Sequence, residues 1–244
     1  MNFKLFLNHE YIYSIISLAV TIIGFLLFHF ITNSGRLNNK FQILFGVKKA
    51  MEYRIYFRQI TGFIFFALLP SIVFFMLLPQ KITDYGIDFS IDKMTVIYII
   101  VLSGLIITMN FFASRNPDNL KKYPLIRTKV WNIKLLILSS MGWIIYLISY
   151  EFLFRGFLLF SCIRAFDMWP AIIINILIYS FVHIPQGLKE AIGAIPFGII
   201  LCFITLLSGN IWPAVILHVV LAISNEWFSI LNNPEITLKL SHSE

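Results

Sequence analysis

The chain has 244 residues, 59% of them hydrophobic and 13% charged, with a mean hydropathy of +0.83. A soluble domain carries roughly 25% charged residues, and a fold of this length has too little interior to bury so much apolar side chain. The composition therefore excludes a soluble protein and predicts a polytopic integral membrane protein. The net charge of +7 does not argue for nucleic acid, because the basic residues cluster between apolar runs as the positive-inside rule requires, and no soluble basic domain is left to carry such binding.

A span needs about 20 mostly apolar residues, and seven segments qualify: 11–32, 60–79, 94–113, 133–163, 170–185, 188–207 and 211–231. The first is long enough to cross and lacks a small-residue cleavage site, so Lys4, His9 and Glu10 before it make only a weak signal-like region. His29 within it has no polar neighbour at helical spacing and reads as structural. Segment 33–59 holds Arg36, Lys40, Lys48, Lys49, Arg54 and Arg58 against Glu52. Segment 80–93 sets Lys81 and Lys93 against Asp84, Asp88 and Asp92. Segment 114–132 holds Arg115, Lys121, Lys122, Arg127 and Lys129, with Lys134 just beyond, against Asp118. The basic loops 33–59 and 114–132 are expected on the cytoplasmic side and the acidic one outside. Seven crossings then put the N-terminus outside, unless a short piece within 33–59 also enters the membrane.

The fourth segment is too long for one upright crossing. Some 31 residues at about 1.5 Å each reach roughly 46 Å, so it must tilt, protrude or kink. Pro185-Gln-Gly187 ends the fifth span, Pro196 is expected to kink the sixth, and Pro213 falls in the first turn of the seventh. Cys162 and Cys202, without close spacing, read as small membrane-helix residues rather than a disulfide or a zinc cluster. No repeat or linker divides the chain. The expectation is a single membrane domain over 1–244, an all-α bundle of about seven transmembrane helices, or eight with the extra piece.

Four polar positions stand out in these apolar runs, while the other charges are read as lying near loops and helix ends. Glu151 and Arg155 are four residues apart in Ser149-Tyr-Glu-Phe-Leu-Phe-Arg-Gly156, a spacing that puts both on one helix face. Taken alone they read either as an ion pair that locks helices or as a carboxylate tuned by a neighbouring cation for base catalysis. His183 follows Tyr179 by four residues, as Tyr179 follows Asn175. His218 lies in the seventh span, with Asn225 returning to nearly the same face. Each histidine by itself reads equally well as an interhelical hydrogen-bonding group. Together, one carboxylate and two imidazoles on three spans suit hydrolysis, with Glu as base, one His orienting water and the other meeting an oxyanion. The same three could ligate a divalent metal, for which no local zinc spacing exists, so no cofactor is required by the sequence.

These residues resemble the CPBP family, the CAAX prenyl proteases and bacteriocin-processing proteins also called Abi or self-immunity proteins. That family carries Glu-Glu-x-x-Phe-Arg-Gly on one span, Phe-x-x-x-His on the next and His-x-x-x-Asn (or Asp) on a late one. Glu151-Phe-Leu-Phe154-Arg155-Gly156 matches the first from its second glutamate, and Tyr179-Ser-Phe-Val-His183 matches the second with Tyr for Phe. Asn210-Ile-Trp-Pro-Ala214, running on to His218, resembles the approach to the third, and Tyr123-Pro-Leu-Ile-Arg127 is also similar to family members. The likeness covers about 120–230. It implies an intramembrane endopeptidase acting on a hydrophobic peptide or membrane-protein substrate within the bilayer of a bacterial inner membrane, with Glu151, His183 and His218 catalytic and Arg155, Tyr150, Tyr179 and Asn225 supporting. Two departures count against activity. Tyr150 stands at the first glutamate, to which the family mechanism assigns water activation, and Ala222 stands at the third-motif asparagine. The alternatives are a catalytically weakened relative that binds a hydrophobic peptide or protein, and a small transporter with an intramembrane proton relay.

Overall fold

The computed structural model describes residues 9–239 apart from the Lys48 side chain, so Lys4 lies outside the described residues. Backbone polar groups inside a bilayer must be satisfied within the segment, which drives apolar runs of this length into helices. Seven helices are long and apolar enough to cross: His9–Thr32, Lys49–Leu77, Lys93–Ala113, Ile133–Phe166, Met168–Gln186, Leu188–Ser208 and Trp212–Asn232. In chain order the elements are α1 (His9–Thr32), α2 (Gly35–Phe63), α3 (Leu69–Leu77), α4 (Lys93–Ala113), α5 (Pro117–Leu120), α6 (Ile133–Glu151), α7 (Phe160–Phe166), α8 (Met168–Phe181), α9 (Leu188–Ser208) and α10 (Trp212–Asn232). Two three-residue strands, β1 (Val130–Asn132) and β2 (Thr237–Lys239), pair in parallel.

The segment 33–59 is not the loop expected. It is helical from Gly35, and charge alone does not break a helix. The break falls at Gly46, whose φ of 72° and ψ of 156° divide α2 into two limbs. The limbs fold together through Phe41 on Phe57, 5.5 Å between centroids, and Phe45 on Tyr53, 4.2 Å. The helix that carries the second apolar run accordingly begins at Lys49 rather than 60. The long fourth crossing runs on to Phe166, and its irregularity is a π-helical stretch, Phe152–Leu159, between α6 and α7. α9 continues through Pro196 as helix.

The chain divides into two compact units. The first takes Met1–Leu27, Phe63–Val96 and Ile148–Val215. In it α8 and α9 pack side by side, with the Ser180 hydroxyl donating to the Ala191 carbonyl at 2.7 Å. The strap between α3 and α4 buries Tyr85 and ends on Asp92, whose carboxylate accepts from the Met94 and Thr95 N–H groups at 2.8 and 3.1 Å and caps α4. The Thr95 hydroxyl also donates to it, and these bonds hold the Asp92 carboxyl below its ordinary range.

The second unit takes Phe28–Gly62, Ile97–Leu147 and Ile216–Glu244. Its apolar cluster is Ile126, Trp131 and Ile230, flanked by Ile55, Tyr56 and Leu238. Polar pins fasten α10 there. Asn110 Nδ2 donates to the Leu221 carbonyl and to Ser224 Oγ, and Asn119 Nδ2 donates to Asn225 Oδ1 and Ser229 Oγ. Such bonds are a main means of joining helices where lipid is as apolar as the side chains.

Gly86 gives a test of how the strap is held. Its φ is +71°, and a Cβ there would lie 2.5 Å from the Phe160 ring and 3.1 Å from the Asn210 backbone. Gly86→Ala is expected to cost about 1–3 kcal/mol, read as a lowered thermal midpoint of the purified protein.

Candidate active site

The fourth crossing supplies the centre of the site. A π turn carries an extra residue and shifts the backbone bonds from i→i+4 to i→i+5, which leaves carbonyls misaligned with the ordinary ladder. Glu151 stands at the start of this stretch and Arg155 within it. Arg155 Nη1 lies 3.2 Å from Glu151 Oε2, and both side chains are 0% exposed. The predicted i,i+4 pair therefore exists and is wholly buried. The Asn175 amide, from α8, donates to the Phe154 carbonyl at 2.7 Å and so meets one carbonyl of the π stretch. The Cys202 thiol of α9 donates in turn to Asn175 Oδ1 at 3.3 Å.

The guanidinium is placed by aromatics as well as by its carboxylate. Its carbon sits 4.2 Å from the Tyr179 ring centroid and 5.8 Å from that of Phe154, and a cation over a ring face is held by the ring's quadrupole. Tyr179 in turn lies against Gly198 of α9, where a Cβ would come within 3.0 Å of the ring. His183 is half-buried just past α8, on the turn that ends the fifth span. Its Nδ1 is 2.6 Å from the Tyr179 carbonyl oxygen. A carbonyl only accepts, so Nδ1 carries the proton, and in the neutral ring Nε2 is the basic nitrogen. Tyr150 packs among Phe154, Tyr179, Phe66 and His183, with centroids 4.7, 5.8, 5.8 and 6.3 Å away.

The first unit thus brings together Glu151, Arg155, Tyr150, Tyr179 and His183. His218 and Asn225 belong to the second unit, on α10. His218 is buried, at 9% exposure. The Asn225 side-chain oxygen accepts from Asn119, a contact that ties α10 to the segment after α4. Among the described residues, no group of three or more His, Cys, Asp and Glu side chains is placed to hold a metal ion.

Sequence reasoning missed Glu226. This carboxylate sits on α10 at 2% exposure and accepts from the Ser139 hydroxyl and the Trp143 indole N–H of α6. The rule that singled out Glu151 would have found it, since it too is an acid within an apolar span. Its nearness to the helix end concealed it.

Residues 123–224 match the family model described as type II CAAX prenyl endopeptidase, Rce1-like. The matched stretch, somewhat under half of the chain, contains Glu151, Arg155, His183 and His218, and over it the CPBP resemblance read from the motifs holds. No curated protein and no solved structure matches the chain.

The buried pair predicts an asymmetry between mutants. Arg155→Ala leaves Glu151 without its cation in an apolar interior and is expected to cost about 3–5 kcal/mol, whereas replacing both partners with apolar residues of similar volume, Glu151→Leu with Arg155→Met, recovers most of that loss. Thermal midpoints of the three proteins in detergent check this. A single mutant as stable as the parent would contradict the pairing.

Proposed function

Proceeding from the Rce1-like match of residues 123–224, we propose that the protein is an intramembrane endopeptidase that hydrolyses a peptide bond in or beside the bilayer. The family implies a protease and a membrane-associated peptide substrate, and the seven apolar helices make the protein integral to a membrane. The finer assignment rests chiefly on one observation, the wholly buried Glu151–Arg155 pair at a widened helical turn, with Tyr179 under the guanidinium and bonded through its carbonyl to His183. Burying two charges is expensive, and a fold that needed only helix locking has cheaper apolar means.

In this reading Glu151, His183 and His218 are the catalytic residues. Glu151 takes the proton of the attacking water. His183, its Nδ1 proton committed to the Tyr179 carbonyl, presents Nε2 to the water. His218 donates to the oxyanion that forms as the carbonyl is attacked. The proton collected by Glu151 passes to the leaving amine, so the carboxylate is regenerated and no covalent intermediate forms. Arg155 holds the carboxylate in place and balances its charge. The substrate is a hydrophobic peptide or membrane-protein segment, the basic segments 33–59 and 114–132 face the cytoplasm, and the host membrane is a bacterial inner membrane.

A second reading has its own support. Tyr150 occupies the position of the family's first glutamate and is enclosed by four rings, and a phenol with a pKa near 10 is a poor base at neutral pH. On that reading the chain binds the peptide without cleaving it.

Kinetics separate the two. Glu151→Gln keeps the shape but cannot accept a proton, and general-base loss is expected to lower cleavage of a membrane peptide by about 100-fold or more. Equal cleavage by parent and Glu151→Gln would remove Glu151 from the mechanism. A parent that cleaves nothing, with activity gained in Tyr150→Glu plus Ala222→Asn, would establish the binding reading. Thermal midpoints accompany each assay, because a new buried acid is itself destabilising.

A further inference from the structure

The strap between α3 and α4 is built as a plug. Its outward residues Lys81, Thr83, Asp84 and Asp88 are exposed, while Tyr85 and Gly86 turn inward and are buried. Tyr85 is 1% exposed. Its ring meets Phe74 edge-on at 4.8 Å and Phe157 at 6.4 Å, and the Arg164 guanidinium covers it at 4.3 Å. Its hydroxyl donates to Gln80 Oε1 at 3.4 Å, and Ser161 of α7, the helix on which the strap packs, is itself fully buried. The Tyr85 carbonyl oxygen stands 3.2 Å from where a Cβ on Gly156 would be. Gly156 directly follows Arg155, so the strap backbone rests against the turn that holds the ion pair.

The fastenings come from three elements of the same unit. Arg164 of α7 donates from Nη1 to the Asp84 carbonyl at 3.0 Å and pairs through Nε with Glu10 of α1 at 3.3 Å. Gln80 donates to the same Glu10 carboxylate at 3.2 Å. At the other end the Gly86 carbonyl accepts from the Ile211 N–H at 2.9 Å, and Asn210 Nδ2 donates to the Ser90 carbonyl at 2.9 Å. A connection that served only to join two spans would need no buried aromatic and no such set of anchors.

We propose that the strap, with Tyr85 as its stopper, seals the α1–α7 end of the first unit against bulk water, so that water and substrate approach Glu151 by another route. A hydrolase in lipid must admit water to one place without letting it run through the bilayer, and a closed end does this. Tyr85 supplies the apolar bulk, and Arg164 holds it by its ring and by the neighbouring Asp84 carbonyl. The consequence for Glu151 rests on the reading of the ion pair as the reaction site, but the seal is a property of the fold and is tested without any cleavage.

The reporter is a thiol beneath the stopper. Ser161→Cys places one there with little change in shape, in a chain that also carries Cys162→Ala and retains buried Cys202 as a deep reference. The full chain in lipid nanodiscs is treated with a charged maleimide, and each cysteine peptide is read by mass. With the strap intact, position 161 stays unlabelled over a time in which the detergent-denatured protein reacts fully. Adding Tyr85→Ala, or Arg164→Gln where the first variant folds poorly, is expected to raise its labelling rate by about tenfold or more while Cys202 stays protected, as local opening requires. Rapid labelling at 161 with the strap intact overturns the proposal. So does continued protection in both folded strap variants, or a rise at Cys202 in step with position 161.

Discussion

A carboxylate and a guanidinium are buried together within the first unit, on one widened helical turn. Glu151 and Arg155 are each 0% exposed and 3.2 Å apart, and a lone charge at bilayer depth costs about 2.5–3.5 kcal/mol even on the gentlest scale. Their neighbours are arranged around that cost. Tyr179 lies under the guanidinium, Gly198 lets α9 come close enough to press Tyr179 home, and Asn175 meets a carbonyl that the π stretch turns out of the ladder. The widened turn is itself part of this, since it sets Glu151 and Arg155 on a stretch of backbone that needs partners from other helices.

Much of this was legible in the sequence because the bilayer leaves the chain few choices. Length and hydropathy alone gave seven crossings, and the i,i+4 spacing alone gave the ion pair. Tyr179 and His183 stand four apart in the sequence, but the bond between the His183 ring and the Tyr179 carbonyl is seen only in the structure. What stayed hidden depends on contacts between distant parts of the chain. The helical limbs of α2 carry six basic residues, and their pairing through Phe41, Phe45, Tyr53 and Phe57 is visible only when the fold brings 41 to 57 and 45 to 53. The π stretch has no compositional mark. Tyr85 looks like an ordinary loop tyrosine until Phe74, Phe157 and Arg164 surround it.

The two units handle polar groups differently. In the first, a carboxylate and a guanidinium are paired in the interior and the cation lies over aromatic rings. In the second, neutral amides and hydroxyls pin α10, and the buried acid Glu226 is met by a hydroxyl and an indole N–H. Asn225, which the spacing puts on nearly the same face as His218, is joined to Asn119 in this network. The catalytic reading rests on Glu151, His183 and His218, with Tyr150 where the motif that the sequence resembles has its first glutamate.

The central claim is that Glu151 directs a water molecule onto a peptide bond, and isotopic labelling of that water tests it most directly. Purified protein is incubated with a membrane peptide in water enriched in oxygen-18, and the product's new C-terminal carboxyl is examined by mass. The account predicts one heavy oxygen in the product from the parent and no product from the Glu151→Gln protein under the same conditions. Heavy-oxygen product formed equally by both proteins, or no product from a folded parent, would contradict it.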